Sequence, residues 1–309
     1  MSNTSPSVPI IWQLSCVQFD DELSLFGTLL KNIPYKPSDS DSTIRHAIEV
    51  ARTFIAEVWD NQEITIRVGN QEKNLFTDER GIIQASFKTE ISNQDEIRVS
   101  INGIPIPFFN DFPIFFGKSN YPLEVISDLD DTVIVTYASR VFKRIQTTGL
   151  THPTRRSIVP NTKALLQGLA EKGARIHYVS KSETNLYHLL ATFFDHNKVP
   201  HGPMYLTRYR ARQNLFVSKK DPIHKLRQIR HILDRSPGKK FLLIGDDSQH
   251  DVHVYSEAVE EYPDRIEKVM IRQTGFKENQ KLLRKLKHMK WLGVDYIYFK
   301  TDDDLTSIF

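Results

Sequence analysis

Three short segments of the 309-residue chain hold most of its candidate chemistry. Asp128-Leu129-Asp130-Asp131-Thr132, Ser180-Lys181-Ser182 and Gly245-Asp246-Asp247-Ser248-Gln249-His250-Asp251 each follow a strand-like apolar run. The carboxylates of Asp128, Asp130 and Asp246 are hard oxygen donors suited to Mg2+, which keeps several waters and is held by few carboxylates plus substrate phosphate. A carboxylate beside such an ion can attack phosphorus and form an aspartyl-phosphate. A second carboxyl two residues on can protonate the leaving oxygen and then activate water. Ser180 and Lys225 would donate to phosphoryl oxygens, where the transition state gathers negative charge. Thr132, Asp247 and Asp251 lie beside these positions as further candidates.

A plain structural reading stands next to each. Acidic residues after a strand are ordinary turn formers and helix caps. Ser180 with Glu183 three residues on matches a capping box. Lys225 has rivals in Lys219 and Lys220, and a helical lysine is usually a solvated charge. His224 and His250 are assigned no role. A lone Asp-x-Asp-x-Thr is a weak signal. The weight lies in three motifs falling in order at successive strand ends.

The elements that must position these motifs are an alternation of strand and helix from about residue 121. Strand-like runs fall at Leu123–Ser127, Ala174–Val179, Met204–Leu206, Phe241–Ile244 and Ile266–Ile271, with helical stretches near 161–172, 183–196, 222–235, 251–261 and 276–290. Such alternation implies parallel strands joined by right-handed crossovers, an α/β layered fold. Open parallel sheets bind ligands beyond the carboxyl ends of their strands.

Residues 1–120 read differently. Two β runs over 10–31 flank the acidic turn Asp20-Asp21-Glu22, and Ile44 to Val58 recur at helical spacing. Ile64, Ile66 and Val68, then Ile97, Val99 and Ile101, alternate with polar neighbours, and Asp78-Glu79-Arg80-Gly81 signals a turn. A mainly-β, sandwich-like domain over 1–120, without chemistry of its own, precedes an α/β domain over 121–309.

Composition narrows the class. Hydrophobic residues are 39% and charged residues 26%, which suits a globular protein and excludes collagen-like and wholly disordered chains. Cys16 is the only cysteine, so an intramolecular disulfide and a multi-cysteine metal site are both excluded. With Lys31 as the first basic residue and no apolar run near the roughly 20 residues that span a bilayer, a cytoplasmic protein without secretory signal or transmembrane segment is expected. Residues 1–120 carry 10 Lys/Arg against 16 Asp/Glu, and residues 121–309 carry 31 against 22. The C-terminal part is therefore the half suited to anionic partners.

The set Asp128-x-Asp130-x-Thr132, Ser180, Lys225 and Gly245-Asp246 through Asp251 resembles the four motifs of the haloacid dehalogenase superfamily. Ile126 to Thr132, Tyr178 to Ser182 and Ile244 to Asp251 are similar, more narrowly, to the conserved phosphatidate phosphatase family of the yeast actin-patch type. The segment Tyr255 to Arg272 extends the likeness, and Thr77 to Gly81 is similar to a turn in the β-domain of bacterial relatives. The family often has Asp-Ser-Gly-Gln where this chain has Asp246-Asp247-Ser248-Gln249, which leaves the role of Asp247 open. It often has Asn-Ser where this chain has Lys181-Ser182.

The resemblance implies a three-layer haloacid-dehalogenase-like sheet and a Mg2+-dependent phosphatidate phosphatase. Asp128 would be nucleophile, Asp130 general acid/base, Ser180 and Lys225 phosphate binders, and Asp128, Asp130 and Asp246 the metal site. A small cap insertion at about 134–156, rich in Arg140, Lys143, Arg144, Arg155 and Arg156, and the alternating Arg208, Arg210 and Arg212 would meet a lipid headgroup and an anionic membrane surface. Packing on the core is the rival reading of the cap, and the apolar stripe of Leu282, Leu283, Leu286 and Met289 reads as core. A phosphatase of a soluble phosphate ester or nucleic-acid end is the alternative, as is a non-catalytic protein recruiting a partner through its β-domain. Nucleic acid is otherwise not expected as a partner, and the absence of a Gly-x-x-x-x-Gly-Lys loop argues against a nucleotide kinase.

Overall fold

The computed structural model describes residues 8–32, 56–109, 112–135, 157–207, 223–247, 250–275, 280–305 and 308. Most of the helix expected over 44–58 lies outside them, as do most of the cap segment, Arg208, Arg210 and Arg212, and Lys219 and Lys220. Residues 56–58 are described and are not helical; Val58 forms a β-bridge with Leu30.

The N-terminal part is built on two antiparallel-rich sheets. Strands β1 (Ile10–Gln18) and β2 (Leu23–Leu30) form a hairpin across the acidic turn, as their apolar runs predict. They join β5 (Ile82–Phe87) and β8 (Phe115–Phe116) in the order β5-β2-β1-β8. Strands β3 (Glu63–Val68), β4 (Gln71–Phe76), β6 (Ile97–Ile101) and β7 (Ile104–Pro105) form the second sheet, in the order β4-β3-β6-β7. Period-two residues from both sheets, among them Leu14, Leu25, Ile66, Ile83 and Val99, meet in one buried cluster. The turn before β5 is fixed by Asp78, whose carboxylate accepts the amides of Arg80 (2.8 Å) and Ile82 (2.9 Å).

The C-terminal part is a six-stranded parallel sheet. Its strands are β9 (Leu123–Ser127), β10 (Ile176–Glu183), β11 (Met204–Thr207), β12 (Lys240–Asp246), β13 (Ile266–Arg272) and β14 (Asp295–Phe299). Between them run α1 (Pro160–Glu171), α2 (Tyr187–Asn197), α3 (His224–Arg235), α4 (Asp251–Glu261) and α5 (Gln280–Trp291). Alternate residues face opposite sides, as parallel strands buried on both faces require. Leu242 and Ile244 pack into one cluster with α1 and α2, and Phe241 and Leu243 into another with α3, α4 and α5. Leu282, Leu286 and Met289 are buried in the second cluster, so the stripe on α5 is core.

Two expectations change. Strand β10 continues through Ser180 and Ser182 to Glu183, and α2 starts only at Tyr187 after a 3-10 turn over Thr184–Leu186. Ser180 therefore does not cap a helix. Strand β14, absent from the sequence reading, pairs in parallel with β13 and extends the sheet at its edge.

Candidate active site

The sheet order is β11-β10-β9-β12-β13-β14. The chain starts in the middle with β9, moves outward through β10 and β11, then returns to the other side of β9 with β12. That reversal is a topological switch point, where the loops after β9 and β12 part and leave a crevice. Register sets Ser127 opposite Ile244, and the Asp128 amide donates to the Ile244 carbonyl at 2.9 Å. Asp128 and Asp246 thus leave adjacent strands side by side.

Asp251 completes the group from the first residue of α4. An acidic residue suits that end of a helix, where backbone N–H groups lack partners. Its carboxylate lies against β12, and a Cβ on Gly245 would come within 2.8 Å of Asp251 Oδ2. Only glycine permits that approach. Asp128, Asp246 and Asp251 are all buried, each with a carboxylate oxygen within 4.8 Å of the others.

A cation is built into this acidic rim. Lys225, in the first turn of α3, is 2% exposed and places Nζ 2.7 Å from Asp128 Oδ1 and 2.5 Å from Asp251 Oδ1. The solvated-charge reading of Lys225 does not hold. Burial opposes its charge, but Asp128 and Asp251 outweigh burial and hold the ammonium above its ordinary range. Asp128 goes the other way from a free carboxyl. Burial and the negative charges of Asp251, Asp246 and Asp130 push it well above the usual carboxylate range, against the pull of Lys225.

Asp130 projects elsewhere. Its Oδ2 accepts the hydroxyls of Ser182 (3.0 Å) and Ser180 (3.3 Å), and Ser180 Oγ in turn accepts the Ser182 amide at 3.0 Å. Asp130 is therefore held by the end of β10, and its carboxylate stands outside the trio. The turn carrying it is tight. Asp131 has φ +57°, a left-handed conformation that few residues other than glycine adopt. Arg272, at the end of β13, donates from Nη1 to the Asp131 carbonyl at 2.6 Å and from Nε and Nη2 to Thr301 Oγ1. Thr132 is fully buried in the same turn, and its Oγ1 has no hydrogen-bond partner among the described residues.

Asp247 has a different occupation. Its carboxylate accepts the Thr274 amide (2.8 Å), the Thr274 hydroxyl (2.5 Å) and the Tyr298 hydroxyl (2.5 Å). It fastens the segment after β13 and the edge strand β14 to the loop after β12.

The fold thus brings together Asp128, Asp246, Asp251 and Lys225 at one point, with Asp130, Ser180 and Ser182 beside them. Ser182 and Arg272 are the residues that sequence reasoning does not single out. Ser182 sits at an i+2 position in a strand and so shares a face with Ser180, a signal open to a period-two reading. Nothing local to Arg272 points to Asp131, 141 positions earlier in the chain.

The donor set fits a hard divalent cation such as Mg2+. The carboxylates of Asp128, Asp246 and Asp251 are buried together with the Lys225 ammonium, and Asp128 Oδ2 is buried with no hydrogen-bond partner among the described residues. Excess buried negative charge is expensive unless a cation offsets it. Lys225 engages one oxygen each of Asp128 and Asp251, and an ion held here would draw on Asp128 Oδ2 and on the carboxylates of Asp246 and Asp251.

Parts of the chain are similar to known proteins. Phosphatidate phosphatase APP1 of Saccharomyces cerevisiae is 27% identical over 173 residues, 56% of this chain and 29% of that protein. An uncharacterised protein of Schizosaccharomyces pombe is 28% identical over 154 residues, 48% of this chain and 25% of that protein. The chain spans less than a third of the length of these curated relatives. A solved structure of a Pnkp1/Rnl/Hen1 complex has a TM-score of 0.33 and 11% identity, covering 66% of this chain and 55% of that one. Residues 123–273, which run from β9 to just past Arg272 and hold every residue of the site, match the family model described as phosphatidate phosphatase APP1, catalytic domain. By that match this stretch of the chain is similar to the catalytic domain of phosphatidate phosphatase APP1.

Proposed function

We propose that this chain is a Mg2+-dependent phosphomonoester hydrolase that acts through a phospho-aspartate, with phosphatidate as its substrate. The observation that carries the reading is the buried group of Asp128, Asp246, Asp251 and Lys225 at the switch point of a parallel sheet, inside the segment that matches the family. The choice of phosphatidate rests on the activity named for the yeast relative. The fold reading that accompanies it is a three-layer haloacid-dehalogenase-like sheet behind a sandwich-like β-domain.

Asp128, Asp246 and Asp251 would hold the ion, which when bound offsets charge on the phosphoryl oxygens and on the carboxylates around it. Asp128 attacks phosphorus through one carboxylate oxygen. A phosphorus–oxygen bond forms to Asp128, and the ester phosphorus–oxygen bond breaks. The Asp130 carboxyl, held by Ser180 and Ser182, gives its proton to the leaving oxygen. Asp130, now a carboxylate, takes a proton from water, which attacks the same phosphorus and releases inorganic phosphate with Asp128 restored. Lys225 stays protonated throughout and keeps Asp128 aimed, and with the bound ion it would offset the burial and neighbouring negative charge that push Asp128 up. Burial excludes bulk water from the acyl phosphate.

A panel of phosphate esters tests the reading. Phosphatidate in vesicles and p-nitrophenyl phosphate in solution are assayed with Mg2+ and with excess chelator. Phosphate release from phosphatidate that stops with chelator and returns with Mg2+ is expected. Release from the aryl phosphate alone would move the substrate to the soluble class, and full turnover in chelator would refute the metal. No helix among the described residues is long and apolar enough to cross a membrane.

A further inference from the structure

The N-terminal sheets touch the frame of the site through β1. Within β1 the pairing to β2 slips between Trp12 and Ser15, a bulge, and Gln13 there has φ +52°. In a regular strand adjacent side chains point to opposite faces. The bulge breaks that rule and re-aims a side chain, so that neighbouring Trp12 and Gln13 both reach the parallel sheet. The Trp12 indole N–H donates to the Thr184 carbonyl at 2.9 Å, and Gln13 Nε2 donates to the Met204 carbonyl at 2.9 Å. Both side chains are buried, and the Trp12 ring packs on Phe109 at 4.4 Å and edge-on to Tyr187 at 6.2 Å.

Thr184 is not a neutral anchor. It opens the 3-10 turn directly after β10 and lies two residues beyond Ser182, whose hydroxyl holds Asp130. Met204 opens β11, the strand paired with β10 on its outer side. The two donors therefore brace the turn after the Ser180-Lys181-Ser182 segment and the strand beside it.

We propose that Trp12, with Gln13, is a positioning residue for the active site: the β1 bulge fixes the end of β10, and through Ser180 and Ser182 it fixes Asp130. The N-terminal sheets are then a part of the catalytic unit and not only a recruiting module. This inference rests on the reading of Asp130 as general acid/base.

The test compares Trp12→Phe, which keeps an aromatic ring and removes the N–H, with Glu22→Gln. Glu22 pairs with Arg235 at 2.8 Å elsewhere in the contact between the two parts, so its loss weakens the contact without touching the turn. Gln13→Asn is the second variant; asparagine tolerates the left-handed backbone but is one methylene too short to repeat the bond to Met204. The readouts are kcat and KM for p-nitrophenyl phosphate with Mg2+, and amide hydrogen exchange over residues 180–186. Trp12→Phe should lower kcat about tenfold, or ~1.4 kcal/mol, with KM within twofold and faster exchange at 180–186. Gln13→Asn should move both readouts in the same direction by a smaller factor. Glu22→Gln should lower the melting temperature with kcat and exchange at 180–186 unchanged. Wild-type kcat in folded Trp12→Phe, or in Gln13→Asn should Trp12→Phe not fold, overturns the proposal. If the wild-type chain hydrolyses no phosphate ester, the proposed function falls, and unchanged exchange at 180–186 would still separately overturn the bracing.

Discussion

Asp130 and Asp128 are two residues apart, yet they sit in opposite electrostatic settings. Asp128 lies among carboxylates with Lys225 on one oxygen, whereas Asp130 rests on two hydroxyls. The proposed division of labour gives the nucleophile's role to the carboxylate that a cation aims and the acid/base role to the one that two hydroxyls position beside it. Asp130→Asn should slow release of a poor alkoxide leaving group by at least about a hundredfold and of an activated aryl oxide much less, because only the former needs its proton. Ser182→Ala should follow the same pattern at about tenfold, the cost of one hydrogen bond to a carboxyl group. Steady-state rates on glycerol phosphate and p-nitrophenyl phosphate check both, and equal losses on the two esters would contradict the assignment. The aspartates were legible because each ends a strand, and strand ends can be found from apolar runs. The partnership of Asp130 with Ser182 was not, since it joins residues 52 apart and exists only once β9 and β10 lie side by side.

At the scale of elements, the outer strands of the sheet serve the inner ones. Strand β13 ends in Arg272, which reaches across to the Asp131 carbonyl, and β14 offers Tyr298 to Asp247. A left-handed Asp131 costs energy that a fixed donor must offset. Arg272→Lys keeps the charge but loses the planar fork that bonds Asp131 and Thr301 together. It should lower stability by about 1–3 kcal/mol in urea unfolding and lower kcat by about tenfold, and unchanged kcat would show the turn to be held without it. The core strands and the five helices of the described residues were readable because long periodic runs survive changes of context. Strand β14 was not, since its run of Tyr296, Ile297, Tyr298 and Phe299 neither alternates nor exceeds a few residues. Gly293, left-handed at the close of α5, is the signal that a new element starts there. The two-residue strands β7 and β8 are too short to carry any period.

Across the whole molecule, residues on either side of the expected boundary at 120 share an interior. Ile10, Trp12, Leu30, Phe109 and Phe112 belong to the same buried cluster as β9, β10, α1 and α2. Sequence marks the change of period at that boundary but not the packing across it. The contact also contains His231, which bonds Ser24 Oγ at 3.3 Å and meets Phe19 edge-on. Burial, with Arg235 beside it, pushes His231 down to about 4 from an ordinary 6.5, against the opposing pull of Glu22. Below pH 6.5 the unfolded chain takes up a proton that the folded chain refuses until near pH 4. Stability is therefore lost as pH falls through that window, by up to about 3 kcal/mol. His177, also lowered by burial, has the same sign. Urea unfolding between pH 7 and 4.5 should show the decline, and His231→Gln should flatten it without abolishing it. An equal slope in that variant would place the pH dependence elsewhere.

The central claim is that Asp128 is the residue that takes the phosphoryl group. Its most direct test is mass spectrometry of peptides from enzyme acid-quenched during turnover of an activated phosphate ester with Mg2+. The account predicts one added phosphoryl group on the peptide containing Asp128, lost in Asp128→Asn and accumulated in Asp130→Asn, where water is no longer activated. A phosphoryl group on another residue, or turnover by Asp128→Asn at the wild-type rate, would contradict it.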